Sequence, residues 1–273
     1  MAMMLVNGAP ADSIPVTDRG LAYGDGVFRT LRAMDGRPLH WARHYAKLNS
    51  DCAALQLSCP AAATLLAEVR AASAAYTQAS VKIMVTRGSG PRGYALPGPC
   101  MPTRIVMADA YAPMPQNENG IHLHLCRLRL AHQPALAGVK HLNRLENVLA
   151  RAEWNDADVA EGLLLNQEGH VIGGTMSNLF VVENHALITP DLSGCGVAGV
   201  TRARVIDLAQ QAGVTCRVEV LPLQRLLAAD AVFAVNSLIG LWPVAELAER
   251  QWIPNALSRQ VAQWLKADDV ARA

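Results

Sequence analysis

The stretch that decides the fold of this 273-residue chain runs from Leu136 to Trp154 and reads LAGVKHLNRLENVLARAEW. Its first residues are apolar and include a glycine, whereas Leu145, Leu149 and Ala150 recur at helical spacing. Lys140 therefore lies where a strand or loop changes into a helix. A lysine at such a junction can be partly desolvated, which lowers the pKa of the amine and makes it a nucleophile or base. Most lysines are solvated surface charges, so the pattern alone assigns no role.

Composition limits the class of protein and of partner. The formal net charge of +1 gives no basic field of the kind that nucleic-acid-binding proteins carry, so we expect a small metabolite as partner. The amino terminus lacks the pattern of a secretory signal, and no stretch reaches the ~18 apolar residues of a membrane span. We expect a cytoplasmic protein that binds neither nucleic acid nor membrane.

The cysteines and histidines do not predict a metal site. The six cysteines are scattered without a Cys-x-x-Cys pair, which argues against a zinc site and against a disulfide scaffold. His122 and His124 lie on one face of a predicted strand, but no third ligand is near them in sequence. We therefore expect no metal.

Hydrophobic periodicity predicts two domains of mixed helix and strand. In the first, helices are expected at 39–57 and 61–75, and a strand at 81–86 pairs with one at 104–108. We assign residues 1–111 to this two-layer α/β domain and the proline-containing segment 112–120 to a linker. Residues 121–273 form the second domain, with a strand at 121–126, hairpins at 162–172 and 179–188, a helix after residue 199, strands at 217–221 and 231–236, and a final helix at 255–267.

Five motifs resemble one enzyme family. The segment KHLNRLE at 140–146 is similar to the lysine segment of 4-amino-4-deoxychorismate lyases, which are fold-type-IV pyridoxal-phosphate enzymes, as are branched-chain and D-amino-acid aminotransferases. Four further motifs match in the same order: DRGLAYGDG at 18–26, RGSGPRGY at 87–94, SNLF at 177–180 and GVTR at 199–202. The resemblance implies pyridoxal 5'-phosphate as cofactor, an α+β fold whose second domain is a pseudo-barrel carrying Lys140, and a homodimer.

The resemblance implies a set of cofactor-binding residues. Lys140 would form the covalent link to the cofactor and act in catalysis. Val200 and Thr201 precede helical periodicity, where backbone amides and a hydroxyl can meet a phosphate. Without the family, an N-cap is the better interpretation of Thr201. Asn236 and Ser237 match the family's second phosphate contact.

Two positions depart from the family pattern. Lys47 stands where relatives usually have a phosphate-binding arginine, and a lysine keeps the charge but loses the bidentate fork. Gly173 stands five residues before Asn178, where family members commonly have a glutamate that meets the pyridine nitrogen. A cofactor without that glutamate is a poorer electron sink, which favours a lyase that forms an aromatic product over an aminotransferase.

The resemblance also suggests the residues that meet the substrate. Arg92 and Tyr94 match the positions that grip the substrate carboxylate in the D-amino-acid aminotransferase, and Phe28 replaces its tyrosine. Arg29 and Arg144 are cations for a second carboxylate, although pairing with acidic side chains explains them equally well. The full predicted set is Phe28, Arg29, Arg92, Tyr94 and Asn143.

These expectations define one main function and two alternatives. We expect a lyase that converts 4-amino-4-deoxychorismate to 4-aminobenzoate and pyruvate in folate synthesis. The first alternative is an aminotransferase for branched-chain or D-amino acids. The second is a pyridoxal-phosphate-binding protein without catalysis, which the departures at Lys47 and Gly173 motivate.

Overall fold

The computed structural model describes residues 3–98 and 100–271, which pack into two compact units. The first unit contains the residues up to Ala112 together with Val139–Asn143, and the second contains Pro113–Gly138 and Arg144–Val270. The segment with Lys140 therefore packs with the first unit, whereas the sequence-based division assigned it to the second domain. Hydrogen bonds between its backbone and a strand of the first unit account for this difference.

An antiparallel sheet with helices packed against it forms the first unit. Its elements in chain order are β1 (Met3–Val6), β2 (Ala9–Pro10), α1 (Arg19–Tyr23), β3 (Gly26–Met34), β4 (Arg37–Pro38), α2 (Trp41–Ala54), α3 (Ala62–Ser73), β5 (Gln78–Thr86) and β6 (Thr103–Ala110). The strand order is β2-β1-β6-β5-β3-β4. The predicted pairing of 81–86 with 104–108 is confirmed, since Val81 is opposite Ala108 and Ile83 is opposite Val106.

Alternation along β3 and β5 positions the core of the first unit. Val27 and Leu31 of β3 and Val81 and Ile83 of β5 are almost completely buried, and they pack with side chains from α2 and α3. The sequence did not predict β3, because the inward-facing position between Val27 and Leu31 holds Arg29. A charge at a buried position breaks the apolar and polar alternation by which a strand is recognised.

A nine-stranded mixed sheet forms the second unit. Its elements are β7 (Ile121–Leu130), α4 (Leu145–Arg151), β8 (Val159–Asn166), β9 (Val171–Gly174), β10 (Asn178–Glu183), β11 (Ala186–Pro190), α5 (Val200–Gln211), β12 (Cys216–Glu219), α6 (Leu223–Ala228), β13 (Ala231–Asn236), β14 (Gly240–Leu247), β15 (Arg250–Gln251) and α7 (Ala256–Val270), with short 3-10 turns at Pro115–Asn119 and Pro134–Leu136. The order is β12-β11-β10-β13-β14-β7-β8-β9, and β15 pairs with β14.

Both faces of this sheet are covered, which explains its continuous apolar strands. Leu179 and Val181 of β10 face one core cluster, whereas Phe180 and Val182 face a second cluster beneath α5 and α7. The two predicted hairpins are confirmed as the antiparallel pairs β8–β9 and β10–β11. This mixed sheet corresponds to the expected pseudo-barrel.

Within residues 3–98 and 100–271, no helix combines the length and the hydropathy needed to cross a membrane.

Asp18 ties α1 to two strands of the first unit. The side chain is completely buried, and its Oδ1 accepts the backbone N–H of Gly20 at 2.8 Å, which caps α1. Its Oδ2 accepts the hydroxyls of Thr86 at 3.0 Å and Thr103 at 2.7 Å. The first acid of the DRGLAYGDG motif is thus a structural anchor.

Replacing Asp18 is expected to destabilise the protein. Asp18→Ala leaves buried donors without an acceptor, so the free energy of unfolding should fall by about 1–3 kcal/mol. Urea unfolding followed by circular dichroism measures this loss. Asp12→Ala is the matched control, because Asp12 is exposed. Equal unfolding midpoints for the two variants would contradict the anchoring role.

Candidate active site

The backbone around Lys140 is fixed by β3. Phe28 N–H donates to the carbonyl of Lys140 at 2.9 Å, and Leu142 N–H donates to the carbonyl of Gly26 at 2.9 Å. The Nζ atom of Lys140 lies 4.5 Å from the centre of the Phe28 ring, which is a favourable position for a cation over an aromatic face. The predicted residues Lys140 and Phe28 are therefore neighbours.

Two glycines of the DRGLAYGDG motif allow the lysine segment to approach. Gly24 has φ +65°, and the side chain of Asn143 lies against it where a Cβ atom would stand. A Cβ atom on Gly26 would lie 2.8 Å from Leu142 Cδ1. The motif is thus placed beside Lys140 for a steric reason, and the predicted residue Asn143 packs there too.

A buried acid that the sequence did not single out lies beside Lys140 in the first unit. Asp51 of α2 contacts Lys47 Nζ through Oδ1 and Arg29 Nη2 through Oδ2. Its Oδ2 also accepts the backbone N–H of Lys140 at 3.3 Å. Of the predicted residues, Lys47, Arg29 and Lys140 are therefore brought together, and the guanidinium of Arg29 is directed at Asp51.

The charged groups of this cluster have displaced pKa values. Burial lowers the pKa of Lys47 to about 8, and the charges of Arg29 and Lys140 act in the same direction. Burial lowers the pKa of Arg29 to about 10, so this guanidinium remains charged near neutral pH. The Lys47 side chain therefore changes from the charged ammonium to the neutral amine as the pH rises through about 8.

Asp25 and two arginines hold the loop that carries Arg92 and Tyr94. Asp25 accepts from Arg87 at 2.7 and 2.9 Å and from Arg19 at 3.0 Å. Burial alone would raise the pKa of Asp25, but these hydrogen bonds outweigh it and hold the pKa below its usual value. The acid therefore stays ionised and keeps both arginines oriented.

The loop itself is anchored on α1 through Gly93. Gly93 N–H donates to the hydroxyl of Tyr23, and Arg19 Nη1 donates to the carbonyl of Gly93, each at 2.9 Å. Tyr94 packs edge-on against Tyr23 with 5.5 Å between ring centres, yet it is 88% exposed. Arg92 is exposed as well. Their assignment to the substrate stays a prediction.

In the second unit, Asn178 of the SNLF motif shapes the start of α5. Its Nδ2 donates to the carbonyl of Val197 at 2.8 Å, and its Oδ1 accepts the N–H of Gly199 at 3.1 Å. Gly199 is the N-cap residue of α5 and has no side-chain cap. The N-cap interpretation of Thr201 is therefore wrong, because Thr201 lies one residue inside the helix.

Polar groups converge at this helix terminus. The Thr201 hydroxyl lies 3.4 Å from the hydroxyl of Ser237, and the first-turn amides of α5, including Val200, face the same end. Asn236 fixes the turn after β13, since its Oδ1 accepts the N–H groups of Leu238 and Ile239 at 2.8 and 3.0 Å. The structure thus brings Val200, Thr201 and Ser237 together at the N-terminus of α5.

Glu161 organises the segment that follows Gly173. Its Oε1 accepts the N–H of Thr175 at 2.9 Å, and its Oε2 accepts the Ser177 hydroxyl at 2.8 Å. The side chain is almost completely buried. A Cβ atom on Gly173 would lie 2.9 Å from the carbonyl oxygen of Ser177, so a larger residue at 173 requires the backbone to shift.

Two further residues named in the sequence analysis are Arg144 and His124. Arg144 Nη1 lies 3.5 Å from Asn147 Oδ1, and burial lowers the pKa of Arg144.

His124 is close to Cys126 and Glu153, and the potential ligand atoms of the three side chains all lie within 4.8 Å of one another. The carboxylate of Glu153 already accepts the N–H groups of Arg127 and Leu128 at 2.7 and 2.9 Å, and it therefore serves the backbone of β7.

Asp51 and Glu161 are the side chains that sequence analysis missed. Each is an acid inside a stretch whose neighbours are buried, Asp51 beside Leu48 and Cys52, and Glu161 before Gly162. A charge on the buried face of a helix or strand is the signal that could have identified both, since such a charge requires partners.

Comparison with known proteins identifies the family of this chain. A family model described as amino-transferase class IV matches residues 26–247. The chain is 38% identical over 248 residues to an aminodeoxychorismate lyase from Vibrio harveyi, covering 90% of this chain and 92% of that protein. It is 34% identical over 244 residues to a putative branched-chain-amino-acid aminotransferase from Methanocaldococcus jannaschii, covering 87% and 83% of the two chains.

A solved structure is similar over almost the whole length. The crystal structure of 4-amino-4-deoxychorismate lyase from Pseudomonas aeruginosa superposes with a TM-score of 0.93 at 44% identity, covering 97% of this chain and 98% of that one. The type-IV fold expected from the sequence is thereby confirmed. Because the family model spans most of the residues from β3 to β14, the chain belongs to the class IV amino-transferase family.

Proposed function

We propose that this protein is a pyridoxal-phosphate-dependent lyase that converts 4-amino-4-deoxychorismate to 4-aminobenzoate and pyruvate. The observation that carries the proposal is Lys140, whose backbone is held by β3 and Asp51 and whose amine lies over Phe28. The similarity to proteins named as lyases, at 38% and 44% identity, supports this substrate over others.

The residues present fit the cofactor. An aldehyde requires an amine, and Lys140 supplies one. A phosphate requires hydrogen-bond donors, which the Thr201 and Ser237 hydroxyls and the first-turn amides of α5 supply. Lys47 is a further cation for the phosphate. When bound, the cofactor withdraws electrons from the carbon that bears the substrate's nitrogen and makes the hydrogen on that carbon acidic.

The protein's part in the reaction is then binding and proton transfer. The Lys140 amine accepts the proton from the carbon that bears the substrate's nitrogen. The bond between the ring carbon and the enolpyruvyl oxygen breaks and the oxygen keeps the electron pair; the enolpyruvate that leaves takes up a proton at its methylene carbon to give pyruvate. The remaining ring becomes aromatic as 4-aminobenzoate. Arg92 and Tyr94 are proposed to bind a substrate carboxylate, and Arg29 is proposed to act through its pairing with Asp51.

Gly173 favours a lyase over an aminotransferase. Elimination gains driving force from forming an aromatic ring, so it depends less on a carboxylate at the pyridine nitrogen than a transamination does. The close approach of Ser177 O to Gly173 shows that this backbone is built around a glycine. Transamination of branched-chain or D-amino acids is the second candidate, and the putative branched-chain-amino-acid aminotransferase among the relatives supports the first of these substrate classes.

Three finer features belong to the same proposal. The reaction would place the protein in folate synthesis. The six free cysteines agree with a reducing, cytoplasmic location.

A homodimer is supported by α4, whose apolar side chains Leu145, Val148 and Leu149 are 74%, 60% and 60% exposed at positions i, i+3 and i+4. An apolar face of this kind is typical of a surface that another chain covers.

Lys140→Ala is expected to abolish both cofactor attachment and product formation, because it removes the amine that does both. The measurements are the visible absorbance of the purified protein and the fluorescence of 4-aminobenzoate after addition of 4-amino-4-deoxychorismate. Lys266→Ala is the matched control, since Lys266 is an exposed lysine paired with Glu118. Product formation by the Lys140 variant would remove this residue from the mechanism.

The same assay separates the two candidate reactions. The wild-type protein is incubated with an amino donor and 2-oxoglutarate, and glutamate is measured. Glutamate production without 4-aminobenzoate from the lyase substrate would replace the lyase with the aminotransferase.

Cofactor affinity is expected to depend on Lys47 and on pH. Lys47→Ala should raise the Kd for pyridoxal phosphate at least about tenfold, since hydrogen bonds to charged groups contribute roughly 1.5–3 kcal/mol. Because the pKa of Lys47 is lowered to about 8, its charge is lost as pH rises through that value. The affinity of the wild-type apoprotein should therefore fall above pH 8 more steeply than that of Lys47→Arg. Identical Kd values at all pH values would exclude Lys47 from phosphate binding.

The exposed face of α4 is expected to form a contact between two copies. Leu145→Glu with Leu149→Glu should convert a dimer to a monomer, because charges on an apolar interface lose their hydration without gaining a partner. Light scattering during size-exclusion chromatography measures the mass. Val16→Glu is the control, since Val16 is 83% exposed and lies outside α4. An unchanged mass in the α4 variant would place the interface elsewhere.

A further inference from the structure

One buried carboxylate meets three basic residues in the first unit. Asp51 Oδ1 contacts the ammonium of Lys47, and Oδ2 contacts the guanidinium of Arg29 and accepts the backbone N–H of Lys140 at 3.3 Å. The Asp51 side chain is 1% exposed and that of Arg29 is 3% exposed. These groups come from three separate parts of the chain, namely α2, β3 and the segment Val139–Asn143.

The pair of Arg29 and Asp51 is not explained by stability alone. The inward neighbours of Arg29 on β3 are Val27 and Leu31, so an apolar side chain would pack at this position. A buried ion pair is seldom more stabilising than apolar residues of similar volume, because both charges lose their hydration. The chain nevertheless has an arginine and an acid here, and the acid accepts the backbone N–H of Lys140.

Asp51 places a negative charge among the basic groups around Lys140. Arg29, Lys47 and Lys140 carry three potential positive charges, and Arg29 and Lys140 are close enough to Lys47 to disfavour its protonation. A carboxylate in direct contact acts in the opposite direction, since an opposite charge within a few ångströms stabilises the protonated amine. A further titratable group beside Arg29 is the buried thiol of Cys52 on α2.

We propose that Asp51 is the positioning residue of the lysine centre: it fixes the backbone of Lys140 and sets the charge state of the Lys47 and Lys140 amines by balancing Arg29. Asp51 acts through these residues and does not itself touch the substrate. The inference rests on the proposed role of Lys140, and it assigns a task to Arg29 that differs from binding a substrate carboxylate.

The test compares Asp51→Asn with the wild-type full-length protein. Amines are labelled with acetic anhydride at a series of pH values after removal of the cofactor, and each lysine is read by peptide mass spectrometry. The pH midpoint for labelling of Lys47 and Lys140 should fall by about one unit, since a directly paired charge shifts a pKa by roughly 1–3 units. Lys82 is an internal control, because its Nζ lies 5.2 Å from the same Phe28 ring.

The loaded protein provides a second readout. The pH midpoint of the visible absorbance of bound pyridoxal phosphate should also move to lower pH in Asp51→Asn, and Asp51→Glu should restore it towards the wild-type value. Glu68→Gln is the matched control, since Glu68 is another buried acid paired with an arginine, Arg104, at 2.9 Å. It should leave both midpoints unchanged.

A double variant keeps the test valid if Asp51→Asn does not fold. Arg29→Met removes the cation that Asp51→Asn would leave buried, so Arg29→Met is compared with Arg29→Met combined with Asp51→Asn. The added substitution should lower the labelling midpoint of Lys47 by about one unit. Unchanged midpoints at Lys47 and Lys140, or an equal shift at Lys82, would overturn the proposal. A chain that binds no pyridoxal phosphate but shows the labelling shift would refute the proposed function and retain the role of Asp51.

Discussion

The pairing of the Lys140 backbone with the first residues of β3 is the constraint on which the first unit's chemistry depends. Two hydrogen bonds, from Phe28 to Lys140 and from Leu142 to Gly26, join a segment that is more than 100 residues distant in sequence. They require a close approach, which explains why glycines occupy positions 24 and 26. Once the backbone is fixed, the position of the amine depends only on the rotamer of the Lys140 side chain.

Buried polar side chains position the loops of both units. In the first unit, Asp51 accepts from the Lys140 backbone, and Asp25 orients Arg19 and Arg87. In the second unit, Asn178 bridges Val197 and Gly199 ahead of α5. A buried donor or acceptor without a partner is costly, so each of these side chains makes one loop geometry strongly preferred over others. Rigid loops of this kind are what a site for a phosphorylated cofactor requires.

The sequence predicted the regular elements whose burial follows a simple period. The strands β5, β6 and β13 and the helices α2, α3 and α7 were found because their apolar residues recur at two or at three to four residues. The strand β3 was missed because Arg29 occupies a buried position, and only its partner Asp51 makes that position tolerable. The helix α4 begins at Leu145, and of its apolar residues at helical spacing Leu145 and Leu149 are exposed whereas Ala150 is buried.

By itself, the sequence determined the family, and it predicted Lys140 as the cofactor lysine and the two departures at Lys47 and Gly173, because motifs and their order are properties of the chain. Only the tertiary structure decided that Lys47 and Arg29 share one acid and that Lys140 packs with the first unit. Only the structure likewise showed that Thr201 lies inside α5 rather than at its cap. The physical reason is that ion pairs and hydrogen bonds form between residues distant in sequence, so a local pattern records the charge of a side chain but not the partner that compensates it.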